Sequence, residues 1–395
     1  MIRTPFIVTI LLLIIVIPAF SKTSRVYEYW LNNFLLEKVK EQVKDPNTVD
    51  RISSHLKSKL NSYSKVRDIL KKFSHAEFSQ PDKYFNKDLI KTKTTLGKKI
   101  KDDLNKELTK IEKVFGVDRN ILLAIWANET FYGKVKPNLD GLQTLSILSF
   151  ASKDRIFFLK EFLYLVDIIE ENKIEIKKLK TSTSGALGQP QFLPSTFLRF
   201  GVDFDNDNKI NIWDSNLDSL ASIANYLNVN GWRKKIEWGF EVKIPKSLNC
   251  FLEGPDHSRS LSQWEKLGIS RASKKEFPEK EKNRSYNLLL PSGTYGPIYL
   301  VSENFYVLKK YNNSDLYALS VAFLSDKLKY NHHDFYANWK KTRKINKTEV
   351  TNLQNRLSEN YDVGGIDGLI GYKTRRAIGL YQRKHNKKET CWPPL

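Results

Sequence analysis

The sequence predicts a mainly α chain of the α+β kind, and three observations lead there. Apolar residues recur at three- and four-residue spacing through most of the first 230 residues. From about 240 to 310 the texture changes to short alternating or β-rich runs between Gly, Pro and Ser turns, which predicts a small antiparallel sheet. Residues 346–388 then read as a separate small module, with amphipathic helices NLQNRL and AIGLYQR flanking the turn-rich GGIDGLIGYKT.

In chain order, residues 1–21 carry a single charge, Arg3, before the apolar run Phe6–Val16, and Ala19-Phe20-Ser21 offers a small-x-small cleavage site. This pattern predicts an export signal cut near Ser21-Lys22, with an uncleaved membrane anchor as the alternative. No cysteine follows the apolar run to carry a lipid. Residues 22–117 read as helical: Tyr27, Trp30, Leu31, Phe34 and Leu35 share one face, and Ile100–Val114 is Lys-rich and amphipathic. Asp118 stands where an N-cap would stand, before the unbroken apolar run Ile121–Ala127. Gly133 and Pro137 end that helix. Leu145–Phe150 and Ile156–Ile169 predict further apolar helices, and Asp218–Asn228 predicts another, carrying Tyr226. The runs EVKIP, YNLLLP, GPIYLV and NFYVLKK read as strands, and Ser314–Leu328 as a helix. Residues 331–345 read as a linker, on which His332 and His333 are expected to be solvated rather than metal ligands.

Glu129 is the chemical centre of this reading. It follows Ile125 by four and Trp126 by three, so it shares their buried face. A carboxylate there is costly to ionise, its pKa should rise, and a carboxyl still protonated near neutral pH can act as a general acid. The competing reading is a helix-end Glu paired with a nearby Lys. Downstream, TSTSGALGQPQFLPSTF (181–197) brings small residues and the neutral amides of Gln189 and Gln191, which suit either sugar recognition or a tight helix crossing. DFDNDNKINIWD (203–214) has carboxylates at loop positions 1, 3, 5 and 12 and matches a calcium loop. It departs from that pattern in Asn208, where Gly is usual, and in Asp214, where a longer Glu is usual.

The net charge of +21 favours polyanionic surfaces. Its lysines are spread as singles and doublets with no nucleic-acid motif, so a nucleic-acid partner is not expected. The only cysteines, Cys250 and Cys391, allow a disulfide after export without showing that they meet, and they exclude a Cys-only zinc site.

The ordered motifs AIWANETFYG, TLSILSFA, SGALGQPQFLPSTF, VDFDNDNKINIWD, SIANYLNVNGW and LLLPSGTYGPIYLVSENFYVLKKYNNSDLYALSVAFL carry a resemblance. Over about residues 27–330 the chain resembles the membrane-bound lytic murein transglycosylase B family, which are lysozyme-like enzymes. Residues 346–388 resemble the small three-helix peptidoglycan-binding module, through Leu353-Gln354, Ile366-Asp367-Gly368, Gly371, Thr374, Ala377 and Gln382. The resemblance implies a catalytic domain over 22–330, a linker and a wall-binding module. It implies a periplasmic enzyme that cleaves the MurNAc–GlcNAc β-1,4 bond without water and leaves 1,6-anhydro ends. Glu129 would be its sole catalytic acid/base. Ser182, Gln191, Tyr226, Tyr311, Asn312 and Arg155 would meet substrate. Asp203, Asp205, Asp207, Lys209 through its carbonyl, and Asp214 would form the calcium loop. No cofactor is required for the chemistry, and calcium would be structural. The expected partners are glycan strands and other cell-wall proteins, with a membrane only if the signal stays uncleaved. Lys153-Asp154-Arg155 keeps only one of the two arginines usual in the family, and Ser184 and Pro190 also depart from its pattern. A hydrolytic muramidase and a non-catalytic wall-binding scaffold are the alternatives.

Overall fold

The computed structural model describes residues 22–73, 84–172, 174–246, 248, 250–330 and 334–393. The expected signal and the His332-His333 pair lie outside the described residues. The rest is mainly helical, in two helical layers, a small sheet and a carboxy-terminal module.

The Arg119–Thr130 helix runs through the larger core. Asp118 caps it as expected, accepting from the Asn120 backbone N–H at 2.7 Å. Ile121 through Ala127 are all buried, so the helix has no apolar stripe of the usual kind and is covered all round. The Lys87–Asp103, Asn105–Phe115, Asn216–Val229 and Asp315–Lys329 helices cover it. The expected Ile100–Val114 stretch is two helices, because the backbone breaks at Leu104 (φ −106°, ψ 22°). A second core gathers the amino-terminal helices around Gly141–Ala151 and Arg155–Asn172.

The sheet has five antiparallel strands, in the order Arg259–Ser260, Ser285–Leu289, Ile298–Val301, Gly239–Lys243, Ser270–Arg271. One expected strand is absent: NFYVLKK lies in the Glu303–Tyr311 helix. Ser302 caps that helix by accepting from Asn304 N–H at 3.2 Å, and Asn304, Phe305, Val307 and Leu308 bury at helical spacing. Its short apolar run satisfied both periods, and the cap decides between them.

The carboxy-terminal module has its own small core of Leu357, Val363, Ala377 and Ile378. Two α-helices are described in it, Lys347–Ser358 and Tyr372–Lys384, rather than three. The Gly364–Gly371 stretch between them stays a loop, turned by Gly364 (φ 76°) and Gly368 (φ 76°) and held by Gln354, whose amide bonds Asp367, Leu369 and Gly368. The chain before the module is strapped down. Phe335 stacks on Phe323 (4.0 Å between centroids) and Trp339 on Phe85 (4.9 Å). Cys250 and Cys391 do meet, in a disulfide that ties the chain's end to the sheet region.

Candidate active site

Glu129 sits in the last turn of the central helix. Phe131 (φ 52°), Tyr132 (φ 61°) and Gly133 (φ 74°) then turn the chain sharply through three left-handed residues. A Cβ on Gly133 would lie 2.5 Å from the Gln189 Oε1 atom, so the turn needs Gly there. The burial expected for the carboxyl is present. Desolvation pushes its pKa from 4.5 up to about 7, against the opposing effects of the Tyr317 hydroxyl and the Lys93 ammonium. Tyr317 donates a hydrogen bond to Glu129 Oε1. Lys93 does not pair with Glu129 but donates to Asn128 Oδ1 at 2.8 Å, and burial lowers its own pKa. The helix-end ion-pair reading of Glu129 is therefore not what the structure holds. Among the described residues, no carboxylate acts on Glu129.

Aromatic rings build the wall beside it. Tyr311 lies parallel to Tyr317 (7° between planes, 6.5 Å), and its hydroxyl donates to Pro190 O at 2.6 Å. Tyr226 meets Tyr311 edge-on at 5.0 Å and donates to Lys310 O at 2.5 Å. Three expected site residues, Glu129, Tyr226 and Tyr311, thus converge with Tyr317. Asn312 ends the Glu303–Tyr311 helix directly after Tyr311. Gln191 (φ 53°) follows Pro190, and its amide donates back to Gly188 O at 2.8 Å. Ser182 lies on the far side of the same loop, its hydroxyl accepting from Ala186 N–H at 3.2 Å and 3.0 Å from that of Ser184. Arg155 is exposed at the start of the Arg155–Asn172 helix, and no bond joins it to these residues among those described.

The 181–197 segment is a tight loop until Pro194, with bridges pairing Leu187 to Thr181 and Phe192. Of its two amides, only Gln191 is left near the surface. Gln189 is buried and spent inside: it accepts from Trp126 Nε1 at 2.7 Å and donates to Trp213 O and Asn216 Oδ1. It is the strut that fixes the Glu129 helix to the loop.

The acidic loop has Asn208 in the left-handed region (φ 65°) that its position requires, but of the five expected ligands Asp203, Asp205, Asp207, Lys209 and Asp214 only the carboxylates of Asp203 and Asp205 converge. The carboxylates that converge are Asp203, Asp205 and Asp218. Asp218 is fully buried and also accepts from Phe204 N–H and Asn211 N–H at 2.8 Å each. Burial, opposed by those bonds and reinforced by Asp205 and Asp203, raises its pKa. Asp207 accepts from Lys209 N–H at 2.8 Å, while Asp214 points outward to Lys136 Nζ at 2.8 Å. Tyr317 and Asp218 were the functional side chains missed in the sequence. The signal for Tyr317 was a phenol between apolar neighbours near the start of its helix, which must find a partner when buried. For Asp218 it was an acid in a helix's first turn just after the loop, which could reach back to it.

A single buried acid walled by tyrosines beside an acidic loop is the arrangement of a general-acid site. The family model of the transglycosylase SLT domain matches residues 27–326, and the chain belongs to that family. Membrane-bound lytic murein transglycosylase B of Escherichia coli (strain K12) is 28% identical over 242 residues, 60% of this chain. That match spans 63% of the relative, a little under two thirds of its length. The crystal structure of SltB3 from Pseudomonas aeruginosa in complex with NAG-NAM-pentapeptide is similar at a TM-score of 0.83 and 28% identity, covering 93% of this chain and 97% of that one. The Escherichia coli lytic transglycosylase Slt35 in complex with calcium shares the fold at a TM-score of 0.53 and 22% identity, over 79% of this chain and 94% of that one.

Proposed function

We propose that this chain is a lytic transglycosylase that cuts the glycan of peptidoglycan between N-acetylmuramic acid and N-acetylglucosamine, leaving 1,6-anhydro ends. The observation that carries the reading is Glu129: an acid held near neutrality by burial, with no carboxylate beside it among the described residues. Most glycosidases need two carboxylates. With one, the charge growing at the anomeric carbon is met by the substrate's own acetamido oxygen. Glu129 first gives its proton to the departing glycosidic oxygen. Now ionised, it takes the proton of the muramyl 6-hydroxyl, which closes on the anomeric carbon, and no water enters the product. The apolar helix keeps Glu129 protonated for the first step and limits competing water. Tyr317 aims one carboxyl oxygen, leaving the other for the substrate.

The related SltB3 bound to NAG-NAM-pentapeptide supports the substrate class. By family resemblance Ser182, Gln191, Tyr226, Tyr311 and Asn312 contact sugar, and Arg155 contacts a stem peptide. Asp203, Asp205 and Asp218 form a hard-oxygen donor set that fits calcium. Such an ion would fasten the acidic loop to the Asn216–Val229 helix that carries Tyr226, and would take no part in the chemistry. The Slt35 structure with calcium supports that reading. Residues 346–388 hold the enzyme near the wall. Export through the 1–21 segment places it in the periplasm, and among the described residues no helix is long and apolar enough to cross a membrane.

Mass spectrometry of the products released from purified sacculi by residues 22–395 tests the reading. Muropeptides one water lighter than the reducing form are expected. Reducing ends would make the enzyme a muramidase, and binding without products would make it a scaffold.

A further inference from the structure

The buried guanidinium of Arg375 belongs to the carboxy-terminal module, yet its partners lie in the catalytic body. Its Nε and Nη2 atoms fork onto Glu253 at 2.6–3.0 Å. Nη2 also reaches Asp315 Oδ2 at 2.9 Å, and Nη1 donates to Ile370 O at 2.7 Å. Arg375 and Glu253 are 1% and 0% exposed. Asp315 is gripped from its other side by Lys309, at 2.6 Å, so two cations and two anions balance inside the protein. Burial disfavours the Asp315 anion, but Arg375 and Lys309 hold its pKa down to about 2.

Asp315 is the first residue of the helix that carries Tyr317. The N–H groups of a helix's first turn have no partner inside the helix, so side chains and caps decide where that turn sits. Here the Tyr317 N–H donates to the Ser314 hydroxyl, at 3.2 Å. Lys309 lies two residues before Tyr311, whose ring lies parallel to that of Tyr317. The module itself is fixed. Its Tyr372–Lys384 helix lies so close to the Cys250–Cys391 disulfide that a Cβ on Gly379 would be 2.5 Å from Cys250 Sγ. A buried ion cluster is a weak source of stability but a strong constraint on geometry.

We propose that Arg375 is a positioning residue of the active site: by fastening Asp315 it sets the first turn of that helix, and so holds Tyr317 against Glu129. The wall-binding module is then part of the catalytic structure as well as an attachment to the wall. This rests on the transglycosylase reading given above.

The test is a double-mutant cycle on the full chain, read by kinetics on sacculi and by 13C NMR titration of the Glu129 carboxyl, its signal assigned by its loss in Glu129→Gln. Arg375→Lys keeps the charge but cannot fork to both carboxylates. We expect kcat to fall about tenfold or more with KM nearly unchanged. The Glu129 titration should move upward, as in Tyr317→Phe, and Arg375→Lys should cost little more when Tyr317→Phe is already present. Should Arg375→Lys not fold, the pair Arg375→Met with Glu253→Gln removes one cation and one anion, leaves Asp315 to Lys309, and carries the same expectations. A Glu129 titration that does not move, or losses that add fully with Tyr317→Phe, would overturn the proposal. If the wild-type chain releases no anhydro product, the functional reading fails while the titration still decides whether Arg375 acts on Glu129.

Discussion

Replacing Glu129 with Gln should abolish activity and, at the same time, make the protein more stable at neutral and alkaline pH. Gln keeps the shape and an oxygen for the Tyr317 hydroxyl, but it has no proton to give. General acid–base catalysis contributes typically 10²–10⁴-fold, so at least a hundredfold loss of anhydro-product release is expected. The stability effect follows from burial. The wild-type carboxyl titrates near 7 when folded and near 4.5 when exposed, so between those values the folded chain binds more protons than the unfolded one. The favourable term is present in full below about pH 4.5 and is lost as pH rises to about 7. The difference, at 1.36 kcal/mol per pH unit, is about 3 kcal/mol. Glu129 as a whole residue is only partly buried, so that figure is an upper bound. A Gln side chain is neutral throughout and escapes this loss. Urea unfolding of both proteins at pH 4.5 and pH 8 reads the effect directly. The stability of Glu129→Gln relative to wild type should rise by up to about 3 kcal/mol between the two. Parallel curves would show that Glu129 is not buried against ionisation, and retained activity would remove it from the mechanism.

Three further outcomes are expected. Tyr317→Phe removes a donor that holds the Glu129 pKa down, so the alkaline limb of the pH–rate profile, near 7 in the wild type, should move to higher pH while kcat falls; an unmoved limb would mean the hydroxyl serves another group. Calcium should raise the melting temperature of the wild type and not that of Asp218→Asn, whereas an equal rise in both would place the ion elsewhere. Replacing Cys250 and Cys391 together by Ser opens a loop of sequence separation 141. The chain-entropy estimate for a loop of that size is about 5 kcal/mol, and chemical denaturation showing no loss would mean the module holds itself in place without the bond.

The elements legible in the sequence are those whose signal is local. Asp118 before Ile121–Ala127 marked the central helix and placed Glu129 on a buried face, and both stand in the structure. Asn208 stands in the left-handed conformation that its loop position demands. Illegible were the features made by side chains distant along the chain. Tyr317 reaches Glu129 across 188 residues, and nothing in the spacing of either helix announces that meeting. Asp218, rather than Asp214, joins the acidic loop because the helix that follows turns back over it, which depends on how that helix packs. Gln189 looked like one of two equivalent amides, and only burial separates it from Gln191. The NFYVLKK run was misread because seven residues with apolar positions satisfy either period, and the deciding cap, Ser302, lies outside the run.

The same physical fact underlies both the chemistry and the framework around it. An acid poised near neutrality requires desolvation, and desolvating a carboxyl costs stability as the pH rises towards its raised pKa. The surrounding structure offsets that cost with groups that do not ionise. Gln189 joins the Glu129 helix to the loop through neutral amide bonds to Trp126, Trp213 and Asn216. The cleft wall is made of tyrosines whose hydroxyls end on backbone carbonyls at Pro190 and Lys310. A lysine or arginine bonded directly to Glu129 would hold the carboxyl ionised and remove the acid. Lys93 is accordingly turned to Asn128, and the ion cluster of Arg375, Glu253, Asp315 and Lys309 grips the first turn of the Tyr317 helix rather than the acid. Charge in this protein fixes the elements that hold Glu129, while the groups touching it stay neutral.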